Sequence, residues 1–255
     1  MKPNILVIAG HDPSGGAGIH ADIEAIQALG GFASTLITAL TVQNSRRVTG
    51  FQLTDLDLLD RQADALLADY SFSAVKIGMT GSVATVEWIA RLLARLPGVP
   101  VVLDPVLAAE SGGALARENL SDALIDVLAP ATTVLTPNLP EAQSLSGEHG
   151  VHAAGEALSQ RCGQAVLVTG THDDTDQVSN HLFQPDRHRH WDWPRLPHVY
   201  HGSGCSLASA MACLLARGEP LEQATGNAQQ WLHQALKNAW RPGGGQYVPN
   251  RSPAP

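Results

Sequence analysis

Cysteine is scarce, with only Cys162, Cys205 and Cys213 in 255 residues. They lack zinc-like paired spacing and cannot all pair within one chain, so the sequence predicts reduced thiols in a reducing, cytoplasmic setting. No apolar stretch reaches membrane-spanning length, and the short run ILVIAG ends in turn residues without a signal-peptide cleavage site. Basic residues are few and scattered, 16 Lys and Arg against 24 Asp and Glu for a formal charge of -8, which argues against a nucleic-acid partner. There is no GxxxxGK[ST], no HExxH and no CxxC. These absences exclude a P-loop nucleotide site and the common sequence-encoded zinc sites.

What is present is a 44% hydrophobic chain with short apolar runs at 5–10, 32–40, 73–79, 99–106, 132–138 and 165–170. Amphipathic stretches such as DIEAIQALG and VATVEWIARLLARL lie between them. Strand and helix alternate, which predicts one α/β domain over 1–255 with a mostly parallel sheet covered by helices. NHLF and HRHWDW read as a hairpin at the sheet edge, two helices follow near 204–217 and 220–240, and for the Pro/Gly-rich tail after about 241 the sequence leaves order and flexibility both open.

Chemistry-bearing residues gather at predicted strand ends. The cluster from Gly10 to Gly18 follows a buried strand, where open α/β sheets bind ligands, although a plain connecting turn is the simpler alternative. Gly16-Ala17-Gly18-Ile19-His20-Ala21 matches GxGxxG/A only formally, because no acidic residue closes the next strand. Lys76 stands alone in an apolar strand and needs a partner, for which Asp104, at the end of VVLDPV, is the candidate. Asp104 is equally a candidate for a water-bridged Mg2+, and a purely structural ion pair is the competing explanation. Asn138 and Glu141 suit a helix cap, and Glu141 also suits Mg2+ held through water. His188-Arg189-His190 reads as a solvated polar face rather than a metal site, His172-Asp173-Asp174 likewise, and Trp191 and Trp193 read as packing residues. Ser111-Gly112-Gly113 is a candidate gate or a plain connection. Gly202-Ser203-Gly204 precedes a helix and predicts an anion site, with Cys205 at that helix start expected to have a lowered thiol pKa. Cys213, within the helix, is a buried hydrophobe.

In order along the chain, IAGHDPSGGAGIHADI, ITALTVQNSR, VKIGMTGS, VVLDPV, TPNLPEA and HGSGCSLASA resemble the hydroxymethylpyrimidine kinase/phosphomethylpyrimidine kinase family of thiamine biosynthesis. The resemblance implies a three-layer α/β/α ribokinase-like fold, a homodimer, and transfer of the γ-phosphate of ATP, with Mg2+, to 4-amino-5-hydroxymethyl-2-methylpyrimidine and then to its monophosphate. It implies that Gly10, Ala17, Asp22, Val42, Gln43 and Met79 line the pyrimidine site. It places Asn138 and Glu141 on the MgATP side, where Asp104 and Lys76, read from the strand ends, and Thr169 are the further candidates for the nucleotide and its Mg2+. Gly202, Ser203, Gly204 and Cys205 would form the catalytic anion hole.

Two positions depart from the family pattern. Thr169-Gly170-Thr171-His172 stands where a lysine-containing KGGH is usual, and Ser203 and Ser206 replace threonines in the cysteine loop. The first change removes a positive charge expected on the nucleotide side, so that phosphate binding would depend more on backbone amides, on Mg2+ or on an arginine that the sequence leaves unplaced. Competing readings are a pyridoxal kinase, because relatives share the cysteine loop, and a non-catalytic vitamin-binding protein, which Thr169 keeps open.

Overall fold

The computed structural model describes residues 2–107, 119–170 and 175–252. The candidate gate at 111–113, the triplet His172-Asp173-Asp174 and Thr171 lie outside the described residues. Parallel strands β1 (Asn4–His11), β2 (Phe32–Gln43), β4 (Ala74–Ile77), β5 (Val101–Leu103), β6 (Val134–Leu135) and β7 (Ala165–Val168) form the sheet centre. Antiparallel β3 (Val48–Leu53) closes one edge, and the hairpin of β8 (Gln177–Gln184) and β9 (Arg187–Pro194) closes the other. The order is β3-β2-β1-β4-β5-β6-β7-β8-β9.

Side chains alternate across the strands, so both faces of the central sheet need cover. Leu6 and Ile8 of β1 enter one core with helices α2 (Leu56–Asp69), α3 (Val83–Leu93), α5 (Leu139–Ser146) and α6 (Val151–Cys162). The short helix α4 (Leu120–Ala123), which continues as a wider coil through Leu128, joins that core. Ile5, Val7 and Ala9 enter the opposite core with α1 (Gly18–Ala28), α7 (Ser203–Leu215) and α8 (Leu221–Lys237). This is the expected three-layer arrangement.

The sequence reading passed over β3. Its residues VTGFQL are half polar because an edge strand is only partly buried, and they give no continuous apolar run. The turn before it is held by the Asn44 side chain, which accepts from the Arg46 and Arg47 amides at 2.9 and 3.2 Å.

The Pro/Gly-rich tail, whose order the sequence leaves open, is tied to the body. Trp240 pairs with Val248, Tyr200 pairs with Tyr247, and the His201 amide donates to the Tyr247 carbonyl at 2.8 Å. Arg251 is buried and fastens three segments. It donates to Ser206 Oγ at 2.7 Å, to Glu24 Oε2 at 3.1 Å and to the Gly16 carbonyl at 2.5 Å. The same guanidinium therefore holds the first glycine loop against the start of α7. Arg251→Ala should lower unfolding free energy by about 2–4 kcal/mol in urea, because buried acceptors lose charge-assisted hydrogen bonds.

Candidate active site

The C-terminal ends of the parallel strands open into one cleft of about 820 Å³. Such edges are where open α/β sheets bind ligands. The cleft is lined by Gly10, Asp12 and Ala17 after β1, Thr41 and Gln43 of β2, and Lys76 and Met79 of β4 and its exit. Asp104, Thr136, Asn138, Glu141 and Thr169 continue the wall past β5, β6 and β7, and Gly202, Ser203, Gly204 and Cys205 close it from α7.

Two of the expected site residues are not on this wall. Val42 is 63% exposed, because Thr41 and Gln43 on either side of it in β2 face the cleft and the strand's alternation turns Val42 away. Asp22 is fully buried beneath the cleft, and it rather than Asp104 is the partner of Lys76, with Nζ 2.8 Å from Oδ1. Ser209 Oγ of α7 donates to the same oxygen at 2.8 Å. Burial opposes the charge on both groups, but the short contact and the serine donor support an ionised pair. Burial alone would lower the Lys76 pKa. The Asp22 carboxylate, with Cys205 and Asp104 nearby, more than reverses this and holds the ammonium above its ordinary value. Apart from the ion pair, no acceptor among the described residues engages Nζ, and Lys76, though fully buried, is one of the residues that line the cleft.

Around that ammonium the groups are strongly perturbed. Burial pushes the Asp104 carboxyl up to about 6, with Lys76 and a hydrogen bond from Cys205 pulling it back. The Cys205 thiol moves opposite to the sequence expectation. Burial raises it to about 12, Asp104 and Asp22 push the same way, and Lys76 and the Gly18 amide only partly offset them. A helix start and a neighbouring cation both lower a thiol pKa, but here lost hydration and two neighbouring carboxylates outweigh them. At neutral pH the thiol is therefore neutral.

The start of α7 is built by close packing of two glycine loops. Gly202 is its N-cap at φ 79°, and no side chain caps the helix. A Cβ on Gly202 would overlap the Gly16 carbonyl oxygen, and one on Gly16 would overlap the His201 ring. The first α7 amides thus stay uncapped by side chains, the arrangement that suits an anion at a helix start. By contrast, α5 starts with a full capping box: Asn138 Oδ1 accepts from the Glu141 amide, and Glu141 Oε2 accepts from the Asn138 amide, both at 2.9 Å. Capping uses one oxygen of Glu141.

Several wall residues went unassigned in the sequence. His201 Nε2 lies 2.8 Å from Asp12 Oδ2 and 3.0 Å from the Gln43 amide. Asp12 is acceptor-only, so that ring nitrogen carries the proton and can only donate; a hydrogen bond with Gln43 then has to use the Gln43 amide oxygen as acceptor, which leaves the amide NH2 for a ligand in the cleft. Burial raises the Asp12 pKa, but hydrogen bonds from His201 and Ser14 prevail and hold it at about 2. Both residues sat inside the quoted glycine motifs, but 189 positions apart. At the other end, Trp193 does more than pack. Its Nε1 and Asn180 Nδ2 both donate to Gln229 Oε1, at 2.9 and 2.8 Å, and all three line the cleft. Arg195 joins this wall, donating to the Thr175 carbonyl at 2.5 Å.

A three-layer sheet with a cleft at its strand ends, an uncapped glycine-led helix and a buried lysine define a ribokinase-like kinase. A family model described as phosphomethylpyrimidine kinase matches residues 12–250, and the chain belongs to that family. It is 39% identical over 253 residues to the hydroxymethylpyrimidine/phosphomethylpyrimidine kinase of Rhizobium meliloti, covering 94% of this chain and 93% of that protein. The Escherichia coli protein of the same description is 37% identical over 244 residues, covering 92% of this chain and 91% of that one. A thiamine biosynthesis multifunctional protein of Corynebacterium efficiens is 39% identical over 246 residues, 93% of this chain; the match spans 33% of that longer protein. Among solved structures, Bacillus subtilis pyridoxal kinase in complex with ADP superposes with a TM-score of 0.90 at 26% identity, covering 98% of both chains. Phosphomethylpyrimidine kinase from Clostridium difficile superposes with a TM-score of 0.80 at 31% identity, covering 92% of this chain and all of that one.

The raised Asp104 pKa makes a stability prediction. The folded state holds this proton more tightly than the unfolded state, so ionising Asp104 costs stability as pH rises from about 4 to about 6. Asp104→Asn should therefore raise unfolding free energy by about 2–3 kcal/mol at pH 8, with the gain vanishing below about pH 4. Urea unfolding of both proteins across that range checks it.

Proposed function

We propose that this kinase transfers the γ-phosphate of MgATP to the hydroxymethyl oxygen of 4-amino-5-hydroxymethyl-2-methylpyrimidine, and then a second phosphate to the resulting monophosphate. The observation that carries the reading is that Lys76, Asp104 and the uncapped start of α7 with Cys205 line one cleft, the Lys76 ammonium being close enough to act electrostatically on both Cys205 and Asp104. Phosphoryl transfer needs little covalent help from the protein; it needs positioning and charge stabilisation on the phosphate oxygens. The acceptor oxygen bonds to the γ-phosphorus as the bridge to the β-phosphate breaks and ADP leaves.

The cleft has two chemically different ends. Gly10, Ala17, Gln43 and Met79 form the pyrimidine end, where the Gln43 amide offers both donor and acceptor to an aminopyrimidine edge. Asn138, Glu141, Thr169 and Asp104 bring hard oxygen donors to the nucleotide end. That donor set fits Mg2+, which keeps most of its waters and takes one or two carboxylates beside substrate phosphates. With threonine at 169, we assign the positive charge on that side to Arg195, which lines the same cleft while donating to the Thr175 and Gln177 carbonyls.

A neutral Cys205 suits both steps. The first acceptor is an alcohol and the second an anion, which a carboxylate 4 Å away would repel by about 4 kcal/mol at an effective dielectric near 20. A neutral thiol carries no such penalty and can turn its single S–H from Asp104 toward either acceptor.

Two further parts of the reading are the reducing, cytoplasmic setting, supported by three free thiols, and the homodimer. Apolar Leu40 and Val42, 53% and 63% exposed on β2, are compatible with the latter. No helix among the described residues is long and apolar enough to cross a membrane. A pyridoxal kinase is the second reading, favoured by the higher TM-score of the pyridoxal kinase; sequence identity favours the pyrimidine.

Mass-resolved product formation from MgATP with the pyrimidine, its monophosphate and pyridoxal offered separately tests these readings. Phosphate on both pyrimidines and little on pyridoxal is expected. Transfer only to pyridoxal would reassign the substrate, and binding without transfer would support the non-catalytic alternative. In the same assay Cys205→Asp should lose the second phosphorylation disproportionately; equal loss of both steps contradicts the role given to the thiol.

A further inference from the structure

The histidines of the edge hairpin acquire a different meaning once folded. His188 and His190 alternate on β9, so they share one face. The antiparallel register sets Phe183 opposite His188 and His181 opposite His190, which brings His181 of β8 onto that face as a diagonal neighbour of His188. Helix α6 packs on the same side and delivers His152 from its first turn. The rings of His152 and His181 lie 5.2 Å apart, and those of His152 and His188 lie 5.0 Å apart. None of these residues lines the cleft.

We propose that His152, His181 and His188 form a binding site for a borderline divalent cation of the Zn2+ type, separate from the phosphoryl-transfer cleft. One ligand nitrogen from each ring lies within 4.8 Å of the others. His181 Nδ1 and His188 Nε2 are already 3.1 Å apart, close to the edge of about 3.3 Å that two nitrogens span in a tetrahedral site with Zn–N near 2.05 Å. The mutual hydrogen bond requires one of these nitrogens to be bare, so at least one lone pair points into the cluster. Each neutral ring can carry its proton on the nitrogen facing away, so binding requires a tautomer choice and no proton loss.

Three supporting elements set the site's character. His152 and His188 are exposed and His181 half-buried, which leaves a fourth position open to water. The positive end of α6 opposes a cation, but Glu156 sits one turn beyond His152 and acts on His188, and Asp192 lies 3.7 Å from His190. Phe183, 4.7 Å from His188 between ring centroids, backs the cluster with an apolar wall. Three imidazoles select Zn2+, Ni2+ or Cu2+ over Mg2+, which prefers oxygen. The cation would staple α6 to the edge hairpin, an element otherwise joined to the sheet through β8 alone.

The test uses the untagged, metal-stripped full chain, with Zn2+ titrated against a chromophoric chelator at pH 7.5. One equivalent should bind, and His181→Ala and His188→Ala should each weaken it at least about tenfold, since even outer partners of metal sites matter that much. His20→Ala, on the exposed face of α1, should bind as wild type. A hundredfold excess of Zn2+ over Kd should raise the thermal midpoint by about 5–10 °C in the wild type and not in His188→Ala, and Mg2+ should do neither. Because the substituted rings are outside the cleft, both variants should keep kinase turnover, which verifies their fold. Wild-type Zn2+ affinity in the two hairpin variants, or equal weakening in His20→Ala, would overturn the site.

Discussion

The buried ion pair of Lys76 and Asp22 is the constraint around which the site is arranged. It places an ammonium on the central strand β4, on the face that otherwise holds Val7 and Val102 against α7. A charge in such surroundings costs several kcal/mol unless it is paired and hydrogen-bonded. Asp22 of α1 pairs it, and Ser209 of α7 supports the carboxylate, so one contact ties a strand to two helices. The ammonium so held belongs to a residue that also lines the cleft. Its field then shapes the neighbours: it moderates Asp104 and Cys205, both of which burial drives toward their neutral forms.

The second constraint is steric. The loops containing Gly16 and Gly202 approach so closely that neither tolerates a Cβ, and Arg251 bonds to one and to the helix that follows the other. Helix α7 begins where it does because this three-way contact fixes its first turn. The C-terminal tail, the first glycine loop and the anion site therefore form one mechanical unit. A chain segment with Pro, Gly and Arg in irregular order gives little sign of such a role.

Most of the fold was legible because the buried strands are continuous apolar runs and the helices alternate with them. The edges were less so. The β8–β9 hairpin was announced by paired β-prone runs, but β3 is polar enough to pass for a loop. At the site, glycine loops, Asn138, Gln43, Met79 and Cys205 stood in recognisable motifs and do reach the cleft. What the sequence could not convey was pairing at a distance. Asp104 was the nearer choice of partner for Lys76 by position on a strand end, yet α1 brings Asp22 under it. The Asp12–His201 contact and the meeting of His152 with His181 and His188 are likewise products of packing. The direction of the Cys205 shift was misread for the same reason, since a helix start is visible in sequence and two neighbouring carboxylates are not.

The account rests on Lys76 acting on phosphate and not only holding two helices to a strand. Replacing the pair together, Lys76→Met with Asp22→Leu, separates these roles, because exchanging both members of a buried ion pair for apolar residues is often neutral for stability, whereas removing one costs about 3–5 kcal/mol. The decisive measurement is MgATP-dependent turnover of that double variant beside its pyrimidine affinity. The account predicts a folded protein that binds the pyrimidine within a few-fold of wild type and loses turnover by at least about 100-fold, about 2.7 kcal/mol of transition-state stabilisation. A folded double variant that turns over at the wild-type rate would contradict it and leave the pair a purely structural contact.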